Sequence, residues 1–131
     1  MLTVYRIVKA RNVRGALSGE GARLAGGRWH RPGEAIVYAS ASLALAALET
    51  LVHVGEDAVH IRFAYLRIQI ADSVAVESCR PPPRHWRAEP PQSGSMRYGS
   101  AWLRGARTAV LEVPSAIVPL EKNYLLNPGH P

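Results

Sequence analysis

The stretch "EAIVYASASLALAALETLVHV", from Glu34 to Val54, contains the clearest strand-to-helix unit of the chain. Its first part, "EAIVYAS" (Glu34 to Ser40), is rich in apolar and β-branched residues and predicts a strand. Ser40 or Ser42 can cap the helix that follows. Apolar residues recur there at i, i+3 and i+4, which predicts an inward stripe of Leu43, Ala44, Ala47, Leu48, Leu51 and Val52. The rest of the chain is predicted to be mostly strands around this one helix.

Further strands, one irregular segment and a short helix are predicted outside this unit. Alternating apolar residues predict strands at "LTVYRIV" (2–8), "VHIRFAYLRIQI" (59–70), "SVAVES" (73–78) and "TAVLEV" (108–113). The alternation slips at Leu66, which predicts a β-bulge. The segment "RPPPRHWRAEPPQSGS" (80–95) cannot be regular structure because proline lacks a backbone N–H, so a mobile loop or a lid is predicted. "SMRYGSAWLRG" (95–105) predicts a short helix.

Strands with few helices between them favour the α+β class. A doubly wound α/β fold would need two regular βαβ units, and the chain has too little helix for them. We expect mixed or antiparallel sheets in a single domain over residues 1–131, since a chain of 131 residues that is 47% hydrophobic can bury one core but not two. The sequence has no Walker loop, and the glycines of residues 15–27 lack the spacing of a dinucleotide-binding turn.

The charge balance predicts an anionic partner. Sixteen Lys and Arg against ten Asp and Glu give a net charge of +6, which suits nucleic acid, a phosphorylated metabolite or an acidic protein. The single cysteine, Cys79, cannot form an internal disulfide, and no Cys/His spacing matches a zinc site. We therefore expect a cytoplasmic protein without a metal. The longest apolar run (41–54) is interrupted by Glu49 and is too short to span a bilayer, so no membrane insertion is expected.

Four blocks of sequence resemble those of a known family. They are "LSGEGARLAGGRWH" (17–30), "IVYASASLALAALETLVH" (36–53), "GSAWL" (99–103) and "LEVPSAIVPLEKNYLLNPGHP" (111–131). In content and order they resemble the RES-domain toxins, which are found beside an antitoxin with a helix-turn-helix region. Together the blocks span nearly the whole chain. His30 stands where that family often has Asn, and we expect it at the rim of the site.

The resemblance implies a fold similar to ADP-ribosyltransferases and a reaction that splits NAD+ at the nicotinamide–ribose bond. NAD+ would be the substrate, no metal would be needed, and water, phosphate or a protein would accept the ADP-ribose. By motif match, the family's Arg, Tyr, Glu and Ser fall on Arg28, Tyr38, Glu49 and Ser115. The implied partner is a cognate antitoxin with an Xre-like helix-turn-helix region, through which a homo-oligomer could form. Direct binding of nucleic acid by this chain is not expected.

The chemistry of the implied reaction explains why such residues would be needed. Breaking the bond to nicotinamide develops an oxocarbenium-like cation on the ribose, which needs a nearby carboxylate and anchors for the phosphates. Arg28 could fork onto the pyrophosphate, with Gly26 and Gly27 allowing close approach to the backbone. Tyr38 could offer a ring face to nicotinamide. Trp29 could line the same pocket, so Gly27 and Trp29 join Arg28 and Tyr38 as candidate binding residues.

Glu49 is expected to flank the core. At 100° per residue it lies roughly 130° from the centre of the apolar stripe, beside Leu45 and His53. That place suits a carboxylate that faces a shielded cleft, and equally a solvated Glu with a weak contact to His53. Ser115, after Pro114, could orient Glu49 or bond a ribose hydroxyl, or it could be a turn-forming serine.

Ordinary structural roles and two other functions stay open at this point. Arg28 could form a structural salt bridge, and Tyr38 could be a core tyrosine. Asn123 and His53 are weaker candidates for the site, and Asn123 is rather expected to tie down the tail. A ribonuclease toxin would need a histidine paired with Lys or Arg at one phosphate, and the sequence shows no such pairing. A non-enzymatic nucleic-acid-binding module would need its arginines along one element, whereas they are scattered. Release of nicotinamide from NAD+ would favour the enzyme.

Overall fold

Six strands form one sheet in the computed structural model, which describes all 131 residues. The strands are β1 (Leu2–Lys9), β2 (Val37–Ser40), β3 (Phe63–Ile70), β4 (Val76–Ser78), β5 (Val110–Pro114) and β6 (Lys122–Leu126). They lie in the order β3-β1-β2-β6-β5-β4. All neighbouring pairs are antiparallel except β4 and β5, which are parallel. The predicted α+β class, with a mixed sheet and few helices, is confirmed.

Three α-helices accompany the sheet: α1 (Glu20–Arg23), α2 (Leu43–Val54) and α3 (Ser93–Gly105), with 3₁₀ segments at Ala10–Gly15 and Gly55–His60. Of the two predicted caps of α2, Ser42 is the one used, because its side chain accepts a hydrogen bond from the amide of Leu45 at 3.1 Å. The helix ends at Gly55, whose φ of 75° is readily adopted by glycine. No helix has the length and apolarity that a membrane span needs.

The predicted β-bulge at Leu66 is wrong. The strands β1 and β3 pair without interruption from Leu2 opposite Ile70 to Lys9 opposite Phe63. Val59 and Ile61, the first apolar residues of the predicted strand, lie in the 3₁₀ segment and in the bend after it. The alternation slipped because the predicted strand joined these residues to β3, which begins at Phe63. The predicted irregular segment 80–95 contains no helix or strand over residues 80–92. Its last three residues, 93–95, belong to α3, which begins two residues before the predicted helix.

Two hydrophobic clusters lie on opposite faces of the sheet, because consecutive strand residues point to opposite sides. One contains Trp29, Ile36, Cys79, Trp102, Leu111, Val113 and Leu125. The other contains Val4, Ala39, Ile70, Val110 and Tyr124. Helix α3 approaches the first cluster at Gly99, where a Cβ would lie only 1.8 Å from the carbonyl oxygen of Trp29. The glycine of the "GSAWL" block therefore lets the helix backbone pack directly on the segment that carries Arg28 and Trp29.

The predicted inward face of α2 is wrong, and this correction decides where Glu49 lies. Leu45 and Ala46 are the buried residues of the helix. Residues of the predicted stripe face solvent instead, with Leu51 52% and Val52 62% exposed. The helix is apolar on nearly all sides, so periodicity could not identify the side that packs against β1 and β2. Glu49, four residues after Leu45, lies on the inward side.

Candidate active site

The carboxylate of Glu49 is held by two side chains from the sheet. Its Oε2 accepts a hydrogen bond from the hydroxyl of Ser115 at 2.9 Å and another from the side-chain amide of Asn123. Oε1 makes no hydrogen bond to the protein. Ser115 follows β5 and is fully buried, and Asn123 lies on β6. The carboxylate is thus fixed through one oxygen, while the other is free for a ligand.

A second layer of hydrogen bonds fixes these two partners in turn. The Oγ of Ser115 accepts from the backbone amides of Ile117 and Val118, both at 3.1 Å. The hydroxyl of Ser40 donates to Oδ1 of Asn123 at 2.7 Å, which orients the amide so that its nitrogen faces Glu49. Each donor therefore has little freedom to turn away from the carboxylate.

Tyr38 is fixed by a buried histidine. The hydroxyl of Tyr38 lies 2.6 Å from Nδ1 of His30, and Nε2 of His30 lies 2.7 Å and 2.9 Å from the carbonyl oxygens of Ala22 and Ala25. Because carbonyl oxygens only accept, Nε2 carries the proton and Nδ1 accepts from Tyr38. Burial raises the pKa of the Tyr38 hydroxyl well above its ordinary value, against smaller opposing effects of the Trp29 amide and Arg28. Tyr38 is therefore neutral at physiological pH.

His30 does not lie at the rim of the site, where we expected it. It is 2% exposed and sits behind Tyr38. The two glycines explain how it fits: a Cβ at Gly27 would lie 2.8 Å from Cε1 of His30 and 2.9 Å from the Tyr38 oxygen. A Cβ at Gly26 would lie 2.9 Å from Cδ of Pro32. The space at the glycine pair is therefore filled by the protein's own side chains.

Arg28 holds a long irregular segment, residues 80–92, which we call the strap. Its Nη1 donates to the carbonyl oxygens of Trp86 at 2.8 Å and Ala88 at 2.7 Å. Its Nη2 lies 3.0 Å from Oε2 of Glu89. The indole of Trp86 also stacks on that of Trp29, with ring centroids 6.3 Å apart. The salt bridge considered for Arg28 is thus present, together with two charge-assisted bonds to carbonyls.

The far side of the strap is tied to the turn after Ser115. The Nε of Arg87 donates to the carbonyl oxygen of Ala116 at 2.6 Å. The strap therefore crosses from Arg28 to the turn that holds Glu49. Between these attachments lies a cleft of about 90 Å³, lined by Arg28, Trp29, Tyr38, Glu49, Pro114, Ala116 and Asn123.

Four of the six predicted site residues line this one cleft: Arg28, Trp29, Tyr38 and Glu49. Ser115 lies behind Glu49, and Gly27 lies beneath Tyr38 and His30. Sequence reasoning gave two members of the site the wrong role or place. Asn123 does not tie down the tail but binds Glu49, and the strand alternation that puts it on the same face as Ser40 was the available signal. His30 was noticed but misplaced. His53 is exposed and makes no hydrogen bond to Glu49.

The charges of the cleft suit an anionic ligand that carries a ring. The guanidinium of Arg28, the carboxylate of Glu49 and the ring of Tyr38, which lies on β2, all line it. No group of three or more His, Cys, Asp or Glu is placed to hold a metal ion. The arrangement can bind phosphate at Arg28 and stabilise a positive charge that develops near Glu49.

A larger groove, of about 410 Å³, lies at the end of β1 and away from the predicted site residues. It is lined by Lys9, Ala10, Arg11, His60, Ile61 and Arg62. The structure thus gathers one histidine with basic side chains, which the sequence did not reveal. Size alone does not make it the active site, because its lining has no carboxylate and no tyrosine or tryptophan ring to position a substrate.

Nearly the whole chain is similar to known proteins of one kind. A model of the RES domain matches residues 3–131. The chain is 42% identical over 128 residues to Toxin Res of Photorhabdus laumondii, covering 97% of this chain and 82% of that protein. It is 46% identical over 119 residues to the Prs ADP-ribosylating toxin of Sphingobium sp., covering 88% and 74%. It is 38% identical over 130 residues to Toxin Res of Yersinia enterocolitica, covering 98% and 86%.

Proposed function

The chain belongs to the RES domain family, and on that premise we propose that it is a toxin that splits NAD+ at the nicotinamide–ribose bond. The observation that carries the proposal is the cleft in which Glu49, held by Ser115 and Asn123, stands with Tyr38 and Arg28. Residues 1–131 would form the NAD-consuming domain, with an ADP-ribosyltransferase-like core.

Glu49 is proposed to stabilise the ribose cation as the bond to nicotinamide breaks. The positive charge is small in bound NAD+ and large in the transition state, so a fixed carboxylate lowers the barrier more than it tightens binding. The bonds from Ser115 and Asn123 to Oε2 hold the carboxylate in place and leave Oε1 for the substrate. Both neighbours thus act through Glu49 as positioning residues.

Arg28 is proposed to bind the pyrophosphate. A guanidinium has five N–H donors, and the strap uses three of them, two on Nη1 and one on Nη2. The edge formed by Nε and Nη2, where Glu89 is the only partner, matches the two oxygens of a phosphate. The substrate could therefore bind while the two carbonyl bonds to the strap persist.

Tyr38 is proposed to act with its ring. Its hydroxyl hydrogen is bound to His30 and its pKa is raised, so it is a poor proton donor. A ring held in one orientation can stack on nicotinamide at little cost in conformational entropy. Trp29 would line the cleft beside this ring. Gly27 would serve by leaving room for the pair of His30 and Tyr38.

The molecule that accepts the ADP-ribose can be identified by analysing the reaction products. The ADP-ribosylating activity in the name of the Sphingobium relative supports transfer of ADP-ribose to a protein, while water would give a glycohydrolase and inorganic phosphate a phosphorylase. The purified protein should be incubated with NAD+ alone, with phosphate and with a cell lysate that supplies protein acceptors, and every product identified by mass. Free nicotinamide is expected in at least one of these reactions. A protein that releases none in any of them would contradict the proposal.

The toxin names of the relatives also support a partner. We propose a cognate antitoxin with an Xre-like helix-turn-helix region that silences the enzyme in the cytoplasm. Because the cleft presents Arg28 to anions, an acidic antitoxin segment could occupy it and compete with NAD+. Homo-oligomers would then arise through the antitoxin complex.

RNA cleavage is the second candidate, and only the basic groove around His60 favours it. The two functions predict opposite behaviour of two variants. RNA cleavage at the groove would be lost in His60→Ala and kept in Glu49→Gln, whereas NAD+ cleavage would be kept in the first and lost in the second. Assaying both variants on RNA and on NAD+ decides between them.

A further inference from the structure

The strap binds the one cation that lines the cleft. Arg28 lines the cleft and donates to the backbone of Trp86 and Ala88 and to the side chain of Glu89. The volume of the cleft is about 90 Å³, whereas pockets for ligands of drug size occupy roughly 300–1,000 Å³. A phosphate that binds Arg28 meets these contacts of the strap, and the contacts differ in how readily they are exchanged.

The contact through Glu89 is the most easily exchanged. Glu89 is 79% exposed, so its ion pair with Arg28 is screened by water and contributes little to stability. The two carbonyl bonds of Arg28 lie in partly buried surroundings, and the indole of Trp86 packs on Trp29. An incoming anion can displace the Glu89 side chain by rotation about its own bonds, without breaking these other contacts.

We propose that Glu89 occupies on Arg28 the place of the substrate's phosphate, and that it lowers the affinity of the cleft for NAD+ by competing from within the chain. The inference rests on the proposed function. Carboxylate and phosphate present similar pairs of oxygens to a guanidinium, so each satisfies the same donors. Arg28 is only 16% exposed, and Glu89 keeps this partly buried cation paired when no substrate is bound.

The competition predicts a specific kinetic signature. Removing the Glu89 charge leaves Arg28 free for phosphate in the ground state and in the transition state alike, so KM falls while kcat stays the same. Glu89→Gln should lower KM for NAD+ by about twofold to fivefold at low salt, the range of an exposed ion pair. The difference should shrink as salt screens the pair in the wild type.

The test measures NAD+ cleavage by the wild type, Glu89→Gln and the control Glu20→Gln at several salt concentrations. Glu20 forms an exposed ion pair with Arg23 at 3.2 Å, so its variant makes the same charge change outside the cleft and should leave KM unchanged. An unchanged or raised KM in Glu89→Gln would overturn the proposal. So would a fall of equal size in both variants, because that would reflect net charge alone.

Calorimetry with inorganic pyrophosphate separates this inference from the proposed function. Glu89→Gln should bind pyrophosphate more tightly than the wild type by the same factor, whether or not NAD+ is cleaved. A wild type that does not cleave NAD+ would contradict the proposed function. Equal pyrophosphate affinities of the wild type and Glu89→Gln would overturn the competition at Arg28, whatever the activity.

Discussion

Ser115 donates a hydrogen bond to Glu49 across 2.9 Å, and thereby joins the end of β5 to the middle of α2. The same hydroxyl oxygen accepts from two backbone amides, which fixes the direction in which its hydrogen can point. A residue 66 positions away in sequence thus sets the orientation of the candidate catalytic carboxylate.

We expect Ser115→Ala to lower kcat for NAD+ cleavage about tenfold and to leave KM nearly unchanged. Glu49 would lose one of its two donors and turn more freely, whereas the phosphate contact at Arg28 would stay. The free energy of unfolding should also fall by about 1–3 kcal/mol, because two partly buried amides lose their acceptor. Ser78→Ala is the matched control, since Ser78 is an exposed serine that donates to Glu112 at 3.2 Å. A raised KM with unchanged kcat would contradict the positioning role.

Gly27→Ala should reduce the free energy of unfolding by about 1–3 kcal/mol, because the new Cβ would overlap the buried pair of His30 and Tyr38. Gly21→Ala is the control, since no atom lies within 4 Å of a Cβ at that position. It lies within α1 and should be neutral or slightly stabilising. Chemical denaturation of both variants measures the difference. Equal stability of the two would show that the glycine pair serves no packing role.

Arg28→Lys should lower NAD+ cleavage by about 100-fold or more, nearly as much as Arg28→Ala. Lysine keeps the charge but lacks the planar fork, so it cannot hold two strap carbonyls and bind phosphate together. Steady-state kinetics are the measurement, with melting curves to confirm that each variant folds. Cleavage by the Lys variant close to that of the wild type would remove Arg28 from phosphate binding.

Stability should fall as pH rises above about 10. Burial raises the pKa of Tyr38 above its ordinary value and that of Tyr124 to about 12, so the folded state keeps protons that the unfolded chain releases. Each tyrosine's contribution to the free energy of unfolding is complete below the ordinary tyrosine pKa. It is lost as pH rises from that pKa toward the raised pKa of the folded protein, by at most ~1.4 kcal/mol per pH unit for each tyrosine. Tyr38→Phe should reduce this slope, and the exposed Tyr65→Phe should not. Denaturation at pH 8 to 11 tests both.

The sequence predicted the fold class and most of the strands, because β-branched alternation and Gly/Pro punctuation are local signals. It could not predict which side of α2 faces the sheet. The exposed side of the helix is apolar too, with Leu48, Leu51 and Val52. The apolar pattern therefore does not show that Leu45 and Ala46 are the residues that pack on the sheet. The motif match identified Arg28, Tyr38 and Glu49, which line the cleft. It could not reveal that Arg28 binds the strap, since those contacts join positions about 60 residues apart.

The site was hardest to predict where a residue acts through another. His30 supports Tyr38 from behind, and Asn123 supports Glu49 from a neighbouring strand. Neither residue type signals such a role on its own, because a lone histidine or asparagine has many ordinary uses. The pairing register of β2 and β6 places Ser40 opposite Asn123 and so completes the network around Glu49.

Glu49→Gln offers the most direct test of the proposed mechanism. Glutamine keeps the size and can still accept a hydrogen bond from Ser115, but it lacks the charge that stabilises the ribose cation. NAD+ affinity by calorimetry, melting temperature and nicotinamide release should be measured in one buffer. We expect a folded protein that binds NAD+ within about threefold of the wild type and releases nicotinamide at least 100 times more slowly. A folded variant that cleaves NAD+ within about threefold of the wild-type rate would contradict the role of Glu49.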